Sequence, residues 1–164
     1  MGLKPNREDD VVSILLDRDE PRTNPVISSF RHAFPDFLHR WRKYIAYEGG
    51  DSCGPYIDMA EVVHFVVEDV YEKGNPDEAR RIFEFLEEQL LVADEETRNL
   101  IGLSFFETLQ CFASWQPGGN RVYEQFLGPM SREIWTDLQR MWAGKSSLAD
   151  VIRAEREDEE PGKS

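Results

Sequence analysis

Apolar residues recur at helical spacing along most of the chain, most clearly between Tyr56 and Lys73. At 100° per residue, one face of this segment carries Met59, Val62, Val63, Val66, Val67 and Val70. Gly74 follows in a position that commonly ends a helix. No segment shows the alternation typical of a strand. The pattern therefore predicts an all-α fold, a compact bundle of about six to eight helices with short antiparallel helical hairpins.

Capping residues set the ends of the other predicted helices. Asn24, Asn75 and Asp94 each precede a helical pattern, and proline follows the first two at the first helical position. Glu78 completes a capping box with Asn75. The predicted segments are residues 24–33, 36–47, 75–91 and 94–115, a short one at 122–127, a helix at 131–142 and a weak one opened by Ser147. Segment 94–115 is apolar around most of its circumference, which predicts the buried central helix.

A chain of 164 residues is expected to form one domain. The pattern predicts a partly ordered segment at residues 1–23 with a short helix over Val11–Leu16, a single all-helical domain at 24–154, and a disordered acidic tail at 155–164. Neither a long apolar run nor a signal-peptide pattern is visible, which predicts a cytoplasmic protein with no membrane span.

The negative charge is concentrated in one region. Residues 51–100 contain fourteen acidic and four basic residues, a net charge of −10 out of −13 for the whole chain. Such a surface repels nucleic acid and anionic lipid and attracts cationic protein surfaces. We therefore expect a cationic protein partner, with no binding to nucleic acid or membranes. The charge leaves the oligomeric state open.

An aromatic ring among carboxylates lies on the face of the 56–73 segment opposite its apolar face. Phe65 falls there together with Asp58, Glu61, Glu68, Asp69 and Glu72. The ring offers area to bury and the charges steer a partner, as in an interaction hot spot. These six residues are the predicted partner-binding site. The alternative is that the N-terminal helices, which carry Arg40, Arg42 and Lys43, fold over Phe65.

No pattern predicts a catalytic residue, a metal site or a cofactor. Glu61-x-x-His64 matches half of a di-iron ligand set, but the second such pair is missing. His64 is expected to pair with Glu61 or Glu68 instead. Cys53 and Cys111 are expected to be reduced thiols, with Cys111 a small core residue.

Glu107 is the other acidic residue of interest. It shares a helix face with Leu100, Leu103 and Cys111, which predicts a buried carboxylate. A buried carboxylate needs a partner, so a satisfied structural role is expected. The alternative is an enzyme or small-ligand protein with a pocket near Glu107, Tyr56 and Trp115.

The segment Glu61–Leu109 resembles a family of small uncharacterised bacterial all-helical proteins. The shared features are a helix pair, a Phe85-Leu86-Glu87 turn and an I-x-x-S-F-x-E-x-L helix at Ile101–Leu109, with residues 1–50 outside the resemblance. The resemblance implies no catalytic residues. In size and acidity the chain is also similar to the immunity proteins that neutralise bacterial toxins, which is an analogy.

The function expected from these features is protein binding. The specific form is an immunity or antitoxin-type inhibitor whose acidic helical face takes the place of an anionic substrate and occludes a basic toxin. A helical adaptor or scaffold is the remaining alternative.

Overall fold

A computed structural model describes the backbone of residues 23–158 and the side chains of residues 23–144. Its helices are α1 Pro25–Ala33, α2 Leu38–Tyr47, α3 Pro55–His64, α4 Pro76–Leu91, α5 Glu95–Asn99, α6 Glu107–Ala113 and α7 Pro129–Asp158. Two 3-10 helices lie at Pro35–Phe37 and Asn120–Phe126. Residues 23–158 contain no strand, which confirms the predicted all-α bundle. The helix predicted at Val11–Leu16 lies outside the described residues.

Two π-helical stretches interrupt the α-helical spacing. Phe65–Tyr71 continues α3, and after it the Glu72 N–H donates to the carbonyl of Val67, five residues earlier, at 2.9 Å. Leu100–Phe106 joins α5 to α6. A π-helix bonds five residues back instead of four. The angles of an α-helical wheel therefore do not hold beyond Phe65.

Phenylalanine rings fill much of the core. α3 packs against Leu100–Phe106, and α4 packs against Phe65–Tyr71. From α4, Phe83 places its ring 5.8 Å from that of Phe105 and 6.2 Å from that of Phe106. The central part of segment 94–115 is thus buried, as predicted.

The outward side of that segment departs from the prediction. Leu103 and Cys111 are exposed, so the assignment of Cys111 to the core is wrong. Glu107 is only half-buried, so it is not the enclosed carboxylate that was expected. An apolar helix circumference indicates neighbours on most sides, but the face with Leu103 and Cys111 borders solvent.

The predicted helix caps are formed. The side chain of Asn24 accepts a hydrogen bond from the Val26 N–H at 2.9 Å, and Asp94 accepts one from the Thr97 N–H at 2.8 Å. Asn75 likewise accepts from the Glu78 N–H at 3.2 Å. The Glu78 carboxylate pairs with Arg81 instead of returning to Asn75, so the reciprocal half of the predicted capping box is replaced.

The last helix, α7, is longer than predicted and is held at its start by α4. It runs through Ser147 to Asp158 without a break, so the two helices predicted there are one, and the helix enters the segment assigned to the acidic tail. Residues 159–164 of that tail lie outside the described residues. The carboxylate of Glu87 accepts hydrogen bonds from the Met130 and Ser131 N–H groups at 2.6 and 2.9 Å.

At this contact, a side chain at position 128 would displace the carboxylate of Glu87. A Cβ atom on Gly128 would lie 2.6 Å from Cδ of Glu87.

Glu87 itself lies well inside α4, so the turn expected at Phe85-Leu86-Glu87 is wrong. The glutamate instead supplies acceptors for N–H groups in the first turn of another helix, where negative charge is favoured.

Candidate functional site

Phe65, the centre of the predicted partner-binding face, lies in the core. Its side chain is 2% exposed, and its ring lies 5.4 Å from the ring of Phe37 and 6.2 Å from that of Phe30. The prediction that Phe65 presents its ring to a partner is therefore wrong, and the alternative, cover by the N-terminal helices, is confirmed. A helical wheel identifies residues that share a face, but it does not reveal which distant segment covers that face.

Asp58 is also buried, beneath the loop that joins α2 to α3. Its carboxylate accepts hydrogen bonds from the hydroxyl of Tyr44 at 2.8 Å and from that of Ser52 at 2.6 Å. The Cys53 N–H in turn donates to the Tyr44 hydroxyl at 2.9 Å. Burial raises the pKa of Tyr44 far above its usual value, and the Asp58 charge adds to the effect. Tyr44 is thus held as a donor, and Asp58 orders the loop instead of meeting a partner.

Glu68 and Asp69 are joined by an arginine of α2. Arg40 donates through Nε to Asp69 at 2.8 Å and through Nη2 to Glu68 at 2.7 Å. The hydrogen bonding of Arg40 to Asp69 lowers the pKa of this carboxylate below its usual value. His64 lies with Nδ1 3.3 Å from Oε1 of Glu68, which confirms the expected pairing. Arg40 thus offsets part of the negative charge of the predicted acidic face within the chain.

Glu61 lines a cleft of about 520 Å³ between α2 and α3. Asp69, Arg40 and Lys43 also line it, so its charge is mixed. Exposed Tyr47 stands at its edge. Glu72, the last of the six predicted residues, is exposed but lines a different cavity. The structure therefore does not bring the six residues together on one open surface.

Exposed apolar side chains with nearby carboxylates occur instead at the junction of α4 and α5. Leu91 is 68% exposed and Val92 is 83% exposed. Exposed acidic residues lie on both sides of this pair along the chain: Glu84, Glu88, Asp94, Glu95 and Glu96. We call these seven residues the acidic corner. Residues 84–96 contain six acidic residues and no lysine or arginine.

The geometry of α4 explains why the acidic corner is open. Ala79, Ile82, Phe83, Leu86 and Leu90 form its buried face. Glu84, Glu88 and Leu91 follow one another at intervals of four and three residues and fall on the opposite face. The α-helical spacing of α4 is sufficient to identify this surface, which is not among the predicted sites.

The pocket expected near Glu107, Tyr56 and Trp115 is not formed by these three residues together. Trp115 lines a cavity of about 400 Å³ with Cys111 and Trp142, whereas Tyr56 and Glu107 do not line it. Within the described residues, no group of three or more His, Cys, Asp or Glu side chains could hold a metal ion. None of the described helices has the length and apolar character needed to cross a membrane.

A family of known proteins matches residues 27–143, and its description is Domain of unknown function (DUF7674). The chain belongs to the DUF7674 family. This match is consistent with the predicted resemblance to a small uncharacterised family. The DUF7674 domain begins at α1, so the prediction that residues 1–50 lie outside the shared region is wrong from residue 27 onward. It includes both Phe65 and the acidic corner. No curated protein and no solved structure matches the chain.

Proposed function

We propose that this DUF7674 protein is a protein-binding domain whose partner presents a basic surface to the acidic corner. The observation that carries this proposal is the exposure of two adjacent aliphatic side chains, Leu91 and Val92, among carboxylates. Protein interfaces combine an apolar core that loses its water with a polar rim. Here the aliphatic pair would be the centre and the carboxylates would be the rim.

The charge of the corner favours a basic partner. Glu88, Glu95 and Glu96 form no ion pair within the described part of the chain. By contrast, Glu68 and Asp69 form ion pairs with Arg40. Unpaired carboxylates speed association with a positively charged protein and disfavour negatively charged ones.

An inhibitor of a basic toxin is the specific form of this function that the acidity fits. In that form the acidic corner would cover the cationic groups with which a toxin holds an anionic substrate, and inhibition would follow from occlusion. Two features support the proposal of a toxin inhibitor: the surface charge, and the similarity in size and acidity to immunity proteins.

Affinity capture with matched variants tests the proposal. The immobilised protein is exposed to a lysate of its source organism, beside a Leu91→Ser/Val92→Ser variant and a Tyr47→Ser control. Tyr47 is an exposed aromatic residue outside the acidic corner. We expect a basic protein to be retained by the wild type and the control and lost from the double variant. Equal retention by the double variant, or no specific protein on the wild type, would contradict the proposal.

A further inference from the structure

A second candidate site lies where the π-helical stretch Phe65–Tyr71 ends. A cavity of about 510 Å³ opens there between the start of α4 and the segment that follows α6. Its walls include Tyr71, Pro76, Pro117 and Tyr123. We call this cavity the tyrosine pocket. Its volume is within the range typical of small-ligand sites, and π-helical turns are frequent at functional sites.

Tyr123 is a buried residue that lines the pocket. The residue is 1% exposed, and its ring lies 5.0 Å from that of Tyr71 and stacks on Phe83 at 6.2 Å. Within the described part of the chain, no residue forms a hydrogen bond with the Tyr123 hydroxyl. Polar groups of buried residues nearly always bond to the protein or to water. A hydroxyl at a cavity wall with no such bond is therefore suited to a ligand.

The charge of the lining indicates which ligand would fit. Glu72 is the only lining residue with a formal charge at neutral pH, among those the structure describes around this cavity. Burial raises the pKa of Tyr123, and its electrostatic interactions with the Tyr71 phenol and the Glu72 carboxylate add to the effect. The tyrosine therefore stays neutral, and its oxygen can accept a hydrogen bond. Aromatic rings beside a carboxylate attract organic cations.

We propose that the tyrosine pocket binds an alkylammonium or alkylguanidinium group. The positive charge would lie near Glu72 and the tyrosine rings, with an N–H donated to the Tyr123 hydroxyl oxygen. Val122 and the two prolines of the lining would contact the alkyl chain. The same group occurs on free small amines and on the lysine and arginine side chains of proteins, and both sources share this chemistry.

This proposal is independent of the acidic corner. Neither Leu91 nor Val92 lines the tyrosine pocket, and Glu72 does not belong to the corner. Loss of partner capture through the corner would leave amine binding intact. Loss of amine binding would likewise leave the proposed function standing.

The test is a titration of the full chain with n-butylammonium, n-butylguanidinium and n-butanol. Binding is monitored by ligand-observed NMR. We expect the two cations to bind and the neutral alcohol not to bind. Glu72→Gln and Tyr123→Phe should each weaken cation binding about tenfold or more, because each removes a partner of the charged group. Glu88→Gln is the matched control, since it removes an equal charge outside the pocket.

Two results would overturn the proposal. One is butanol binding as tightly as butylammonium, which would indicate only an apolar cavity. The other is equal loss of binding in Glu88→Gln and Glu72→Gln, which would indicate general attraction to an acidic protein. N-acetyl-lysine methylamide distinguishes the two sources of the cation. Binding at least as tight as that of butylammonium supports a side chain of a partner protein, and much weaker binding supports a free amine.

Discussion

Replacement of Phe65 by alanine is expected to destabilise the protein strongly. Phe65 is 2% exposed and contacts the rings of Phe30 and Phe37, so the shortened side chain would leave a cavity between α3 and the N-terminal helices. Phenylalanine-to-alanine changes in cores cost about 3–5 kcal/mol, and the loss of two ring contacts places this site in the upper part of that range. For a domain of this size, about 4–5 kcal/mol corresponds to a Tm lower by roughly 10–15 °C.

The assay is urea unfolding monitored by circular dichroism. The free energy of unfolding is extrapolated to zero denaturant. Leu91→Ala is the control, because an exposed aliphatic residue changes stability by no more than about 0.5 kcal/mol. Phe65→Leu should fall between the two, since it keeps most of the buried volume. If Phe65→Ala unfolded at the same urea concentration as the wild type, the packing of α1 and the Pro35–Phe37 turn over α3 would be refuted.

Three further predictions concern contacts between structural elements. Because Arg40 lowers the pKa of Asp69, the pair stabilises the fold at neutral pH and loses that contribution as the pH falls through the lowered pKa. Asp69→Asn should thus cost about 1 kcal/mol at pH 7, a value discounted for partial solvent exposure, and the difference from wild type should shrink in acid unfolding experiments. Glu87→Ala should cost about 1–2 kcal/mol in urea, since two N–H groups of α7 lose their acceptor. Gly128→Ala should destabilise the wild type more than the Glu87→Ala variant, because its Cβ collides with that glutamate, and a double-mutant cycle would detect the coupling.

Local signals in the sequence were sufficient for most of the secondary structure. The caps at Asn24 and Asp94 depend on hydrogen bonds that span two or three residues, so the sequence around them contains the necessary information. The proline after Asn75 and the glycine at position 74 act through their own backbone geometry in the same way. These elements were predicted because their causes are local.

The cover over Phe65 could not be derived in the same way. Phe30 lies thirty-five residues before it, and their contact depends on how α1 packs against the rest of the bundle. The π-helical geometry from Phe65 onward also changes which residues share a face. The exposure of Leu91, by contrast, follows from the α-helical spacing of α4 and was within reach of the sequence.

Binding of a basic protein to the acidic corner can be measured as the affinity of the captured partner for variants of the corner. Isothermal titration would compare the wild type with Leu91→Ala/Val92→Ala and with the Tyr47→Ala control at two salt concentrations. We predict that the double variant has a Kd about thirtyfold higher than the wild type, which is a loss of about 2 kcal/mol of binding free energy. The control should have an unchanged Kd. The wild type should bind more weakly at high salt, because salt screens the charges. A Kd that is the same for the wild type and the double variant, and insensitive to salt, would contradict binding at the acidic corner.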